Sequence, residues 1–532
     1  MYSTGYVTQQ SREALYGAEK YWADILKLPE NTQKASYNIL RYEDANVSAK
    51  SSTVLDSADK ITEVQAALYG KSIPEHDFSN AVILLGNSFF GDDYWNFDNT
   101  NKPLADSTYP NLKVIFQHEM AHALGMATDA KDVLYKAGEQ EYRCALFKDN
   151  LSVWDKYLEF SNGSSELKID VSSGQKTIVA PNASIVPVGA ADVVIGLNEY
   201  KPSFIGETTL KVLGNSDVVE TAKSNIESNG GFINYSSSYE KDRYEGKYVK
   251  LNGLPINPDD TANVDISHIE LRNSYLSHQM YRNWNYCMEA ELATFVDMGF
   301  DINLKDFFGK SYYLNNITDD ISTDYSSDKN FAVGLHIYGD KNVITQNANT
   351  TLSGEAVFGA RIEGVENKYT LNNFIMTTGA NSIGVGVTFG KNHIINIDEN
   401  SSIQATGKNS VALDFDFGQN ILSSAMAMKG SHTDFYVFRF FQDEELLDTE
   451  VSGALVKDAN IKGNLTGTKA AIHIAENAHV ENINIFDTAE INGDIISEWN
   501  SLEAYRYQEP DMEKPEIARP FKTNNPKDGF TD

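Results

Sequence analysis

Four segments in the second half of the chain repeat one another: GLHIYGDKN from Gly334, GARIEGVEN from Gly359, GVGVTFGKN from Gly384 and SVALDFDFGQN from Ser410. Their inner glycines, Gly339, Gly364, Gly390 and Gly418, stand 25, 26 and 28 residues apart. Each unit is a run of β-formers closed by Gly and then Asn (Asn342, Asn367, Asn392 and Asn420), residues suited to left-handed corners or to side-chain ladders. A unit this short cannot enclose a core alone, but stacked units share one. The period therefore predicts a right-handed β-solenoid. An ordinary β-sandwich is the weaker alternative, because its strands need not share Gly-Asn punctuation at one period. The pattern resumes at Ala470 after an irregular insert over about 424–455 that contains the run Phe435–Phe441.

The first 300 residues are written differently. Ser11 to Lys27 is amphipathic with a capping-type Ser, and Lys34 to Tyr42 and Asn80 to Leu85 read as strands. These expectations give an α+β domain over 1–303 with an insertion at about 130–260, a solenoid over 304–502, and a tail or linker over 503–532.

Within the first domain, residues 118–122 read His-Glu-Met-Ala-His on an apolar stretch of helical spacing, Asn111 to Met126. Positions i and i+4 share one helix face, so His118 and His122 can grip one metal ion, with Glu119 in reach of water bound there. This is the H-E-x-x-H zinc signature, with Glu119 as general base. A catalytic zinc takes three protein ligands and leaves a position open. In the compact completion Gly125 fits, but the last position is Thr128, a poor ligand, and Asp129 is one residue off. Glu289, Glu291, His268 and His278 are the other candidates. Gly125 allows a sharp exit from the helix, so the third ligand need not lie on it.

The segments DISHIELRNSYLSHQM (Asp265–Met280) and AELATFVDMGF (Ala290–Phe300) resemble the leishmanolysin-type metzincins. Those proteins share an ordered set: an HExxHxxG helix, a long insertion, a third His in a Ser-His segment, and a Met-turn before a helix ending Asp-hydrophobic-Gly-aromatic. The resemblance covers roughly residues 10–303, and Ser152–Leu158 and Phe204–Glu207 also look like its landmarks. It implies a metzincin-like fold, zinc held by His118, His122 and His268, and Met280 as the apolar floor beneath the metal. It also implies hydrolysis of protein or peptide substrates. The chain departs from the family in its insertion of 143 residues from Gly125 to His268, in Ile269 where an aromatic is usual, and in lacking a cysteine-rich framework. Tyr281, after the Met-turn position, is expected to pack in the core.

Composition bears on partners. With 44 basic against 75 acidic residues the formal charge is −31, and phosphate-binding Lys/Arg patches are missing, which argues against nucleic acid. No apolar run reaches bilayer length, and the chain opens Met-Tyr-Ser-Thr-Gly without an apolar signal region. Secretion or bacterial surface display is the expectation, with any signal removed. The solenoid resembles autotransporter passenger stalks, for which a longer precursor would add an outer-membrane barrel. An adhesin in which the solenoid is the working part is the rival reading. Cys144 and Cys287 could form a disulfide or be two buried thiols. Asp414 and Asp416 alternate on a strand, where a solvated face is favoured over a cation site. The scattered histidines 76, 336, 393, 432, 473 and 479 read as surface or strand residues.

Overall fold

A computed structural model describes residues 8–42, 49–53, 61–71, 79–86, 95–107, 110–128, 152–161, 201–214, 253–256, 266–269, 271–277, 283–418, 431 and 453–499, with short strand segments between 135 and 250 and at 505–507 and 520–522. Helix α1 (Gln9–Ile25) begins one residue after Thr8, whose hydroxyl accepts from Ser11 N. Ser11, the cap expected from sequence, is therefore inside the helix. Strands β1 (Tyr37–Tyr42), β2 (Ala49–Thr53) and β3 (Ala81–Gly86) form a mixed sheet in the order β1-β3-β2, β1 parallel and β2 antiparallel to β3. Short α2 (Glu63–Leu68) precedes β3, and α3 (Leu112–Ala123) lies between α1 and the sheet. Every residue of α3 is buried, as its apolar surround predicted. Trp22 of α1 donates its indole N–H to Gln117 O of α3 at 2.9 Å. The first part is thus a small mixed α/β body.

From Phe308 to Ser497 the chain winds a β-solenoid of three parallel sheets, of seven, six and six strands. Side chains at one register position stack into columns that fill the interior, such as Leu335–Ala360–Val385–Leu413–Ile472 and Ile337–Ile362–Val387–Phe415–Ile474. The predicted corner chemistry is visible and splits in two. Asn342 and Asn367 form a buried ladder, Asn342 N donating to Asn367 Oδ1 at 2.7 Å, with Lys341 and Glu366 left-handed beside them. The next coil is one residue longer. His393 takes the ladder place, accepting from Asn367 N at 3.3 Å, and Asn392 becomes the left-handed corner at φ 56°. Gly390 in that corner (φ +99°) would place a Cβ 1.4 Å from Gly364 O, so only glycine fits. Asn420 and Phe435–Phe441 lie outside the described residues.

The two parts share one core. Phe331, Val333, Tyr338, Phe358 and Ile383 of the solenoid belong to the apolar cluster that includes α1, α3 and the helix Glu289–Asp297. A buried polar group crosses the seam: Glu363 pairs with Arg361 at 2.7 Å and His336 at 2.8 Å, and the Arg361 guanidinium lies 3.9 Å from the Trp284 ring centroid. Burial alone would raise the Glu363 pKa, but Arg361, His336 and Arg272 outweigh it and bring it down to about 2. A depressed carboxyl pKa contributes stability that is present above its unfolded value and lost as pH falls through the folded one. Glu363→Gln is therefore expected to cost about 3–5 kcal/mol at neutral pH, by stranding Arg361. It should also flatten the loss of stability between about pH 4.5 and 2. Urea unfolding across pH checks both, and equal wild-type and variant midpoints would contradict them.

Among the described residues no helix is long and apolar enough to cross a membrane. Cys287 is a buried free thiol, so the disulfide alternative does not hold, and the Cys144 side chain lies outside the described residues.

Candidate metal centre

The helix α3 is capped by Asn111, whose side chain accepts from Val114 N at 3.3 Å, and it ends at Gly125 with φ +125°. Thr62 closes that end by donating to Ala123 O at 2.6 Å. The glycine turns the chain back so that Met126 O meets His122 Nδ1 at 2.7 Å. Its predicted role as the exit from the helix is what the backbone displays.

His268 comes from 146 residues beyond His122 and is brought in by tertiary contacts. Trp154, fully buried, donates its indole N–H to Ile266 O at 2.8 Å, two residues before the histidine. Ser152 and Asp155 cap each other's backbone around that tryptophan. On the far side, Ile269 N donates to Leu276 O at 3.1 Å and pairs with Ile256. The second landmark, Phe204–Glu207, opens the helix Glu207–Gly214. Asp297 caps that helix, accepting from Thr208 N at 2.8 Å and Thr209 N at 2.9 Å. The Asp-Met-Gly-Phe ending thus ties the helix Glu289–Asp297 to the segment around Trp154, where Tyr157 also donates to Asp297 O at 2.5 Å.

The result is a triangle of imidazole nitrogens. The Nε2 atoms of His118 and His268 are 3.2 Å apart, those of His122 and His118 3.2 Å, and those of His122 and His268 3.1 Å. All three rings are buried. His118 Nδ1 lies 3.2 Å from Tyr275 O and His122 Nδ1 2.7 Å from Met126 O. A carbonyl only accepts, so each Nδ1 carries the proton and each Nε2 presents a lone pair inward. Lone pairs facing one another at this range repel unless positive charge lies between them. Tetrahedral metal–nitrogen bonds of about 2.0–2.1 Å imply an edge of about 3.3 Å between ligand atoms, close to the triangle seen. Backbone carbonyls orienting the rings from behind are the outer shell that metal-binding histidines require. The three histidines could hold a metal ion, and an all-imidazole donor set is compatible with several transition metals, zinc, copper, iron and nickel among them.

The other candidates fall elsewhere. Glu291 accepts from Leu276 N at 2.9 Å, Met288 N at 2.6 Å and the Ser274 hydroxyl, so both its oxygens brace backbone, and burial pushes its pKa up to about 7. Glu289 faces Lys305 at 3.7 Å. Asp129, His278, Met280 and Tyr281 lie outside the described residues, as do His76 and His432. Glu119, next to His118 on α3, is buried.

A second group, Asp414, Asp416 and His473, corrects the expectation of a solvated strand face. Asp414 and His473 are buried and bonded at 2.6 Å, and burial together with Asp414 pushes Asp416 up to about 7. The ligand atoms of the three lie within 4.8 Å of one another, and two of them, Asp414 and His473, are bonded directly. His336, His393 and His473 are strand residues as expected, but buried rather than at the surface.

Sequence reasoning did not find Tyr275, Met126 or Glu291 as supports. Two of them act through backbone carbonyls, which leave no mark in side-chain identity. No protein family matches the chain, and no curated protein or solved structure matches it.

Proposed function

We propose that this protein is a secreted or surface-displayed zinc-dependent endopeptidase, similar in plan to the leishmanolysin-type metzincins. The observation that carries the reading is the convergence of His268 with the two histidines of the HExxH helix. Zinc bound there would supply Lewis-acid activation of water and of the scissile carbonyl. Glu119 accepts the proton of the attacking water and passes it to the leaving amine. His118 and His122 hold their rings in the ligating tautomer through the carbonyls of Tyr275 and Met126 on the opposite side, and three neutral imidazoles leave the ligand set without net charge. Strand β2 is an edge of its sheet among the described residues and lies beside α3. An extended peptide adding to that edge would be carried past the helix in a fixed register.

Two measurements test the reading together. Elemental analysis of the purified full chain is expected to give one zinc per molecule. A chelator is expected to abolish cleavage of casein or a denatured protein, and added zinc to restore it. A metal-free protein that binds cells through residues 304–532 would instead support the adhesin reading, and cleavage that survives chelation would remove the metal from the mechanism.

A further inference from the structure

We infer that the solenoid is part of the outer shell of the metal centre: Glu363, through Asn273, is a positioning residue for His118 and His268. The inference rests on the metal-binding reading of the three histidines. Its starting point is the loop 271–277, which touches one of them and the residue that follows another. Tyr275 O faces His118 Nδ1 at 3.2 Å, and Leu276 O accepts from Ile269 N, the residue after His268, at 3.1 Å. A carbonyl can aim an imidazole only if its own peptide is fixed.

The loop is fixed from two sides. From the α/β body, Glu291 accepts from Leu276 N and the Ser274 hydroxyl, and the Tyr275 phenol donates to Val114 O of α3 at 3.3 Å. From the solenoid, Tyr338 O accepts from Arg272 Nη2 at 3.1 Å, and the guanidinium lies 4.6 Å from the Phe389 ring centroid. Glu363 Oε1 accepts from Asn273 Nδ2 at 2.8 Å. Asn273 is fully buried and left-handed, φ 59°, a conformation that a side-chain contact to a fixed acceptor can select. Glu363 is such an acceptor, since Arg361 and His336 hold it from within the solenoid.

The chain of contacts therefore runs from the outward-facing but covered His336, Arg361 and Glu363 of the second and third coils, through Asn273, to the peptide that orients His118. A solenoid serving only as a stalk would need no buried carboxylate aimed at this loop. Loss of a direct outer-shell partner weakens metal binding about 10–100-fold, and a partner one step further out belongs at the lower end.

The test uses the full chain. Asn273→Gly keeps the left-handed backbone and deletes the hydrogen bond, so the fold survives even where Glu363→Gln fails to fold. Zinc affinity is measured by competition with a chromophoric chelator, and ligand geometry by the visible spectrum of the cobalt(II)-substituted protein. About tenfold weaker zinc binding and a changed cobalt spectrum in Asn273→Gly are expected, with circular dichroism unchanged. A variant that unfolds more easily but keeps wild-type zinc affinity and cobalt spectrum would reduce the seam to a structural role and overturn the inference. A wild-type protein that binds no zinc would overturn the metal reading itself and the inference with it.

Discussion

Glu119→Gln is expected to lower peptide-bond hydrolysis by about 10²–10⁴-fold, the range a positioned general base contributes, while zinc stays bound. Glutamine matches the carboxylate in shape, so a buried side chain on a fully buried helix is replaced without opening a cavity. What disappears is the capacity to take a proton from water and return it to the departing amine. The proposed ligands are untouched, since the three Nε2 atoms belong to His118, His122 and His268. The loss should therefore fall on kcat, with zinc content near that of the wild type by elemental analysis. A Glu119→Gln protein that cleaves casein at the wild-type rate would sink the assignment. A purely structural Glu119 would show lowered stability with undiminished turnover per folded molecule.

The half-site was legible because it is local: four residues of helix place two imidazoles on one face, and no tertiary knowledge is needed. The third histidine of the cluster was not legible from spacing. His268 is delivered by Trp154 holding Ile266 and by Ile269 pairing with Leu276 and Ile256, contacts that no sequence period encodes. Its assignment came from the resemblance, with Glu289, Glu291 and His278 left as alternatives. Glu291 is unavailable because it braces the backbone of the 274–276 turn.

The solenoid was legible for the opposite reason, since its architecture is its period. What the period could not show is which outward positions something else covers. Alternation places Asp414 away from the interior, and the same logic applies to Arg361 and His336. Yet all three are buried, Arg361 against Trp284 of the other body. The exchange of Asn for His393 in the ladder follows from one extra residue in a coil, a shift visible in the spacing of 26 but not interpretable without the register.

His268→Ala is expected to weaken metal binding by more than the roughly 10–100-fold penalty of an outer-shell loss, because a direct ligand is removed. The effect on stability should depend on zinc in a way that a simple cavity would not. In the wild type, zinc at a thousand times its Kd adds about 4 kcal/mol to folding. With His268 gone that increment should collapse, so the zinc-induced rise in Tm becomes small. The zinc-free variant, by contrast, has one fewer nitrogen in a triangle whose members face each other at 3.1–3.2 Å, which relieves repulsion and offsets part of the lost packing. The variant and wild type should therefore differ far more with zinc than without it. Calorimetry at both conditions, with Kd from chelator competition, reads the difference directly. If His268→Ala kept wild-type affinity and the full thermal shift, the third ligand would have to come from elsewhere, with Asp129 and His278 the remaining candidates. If the cluster binds metal as proposed, a site built from one helix and a histidine 146 residues away would gain metal binding and tertiary structure together.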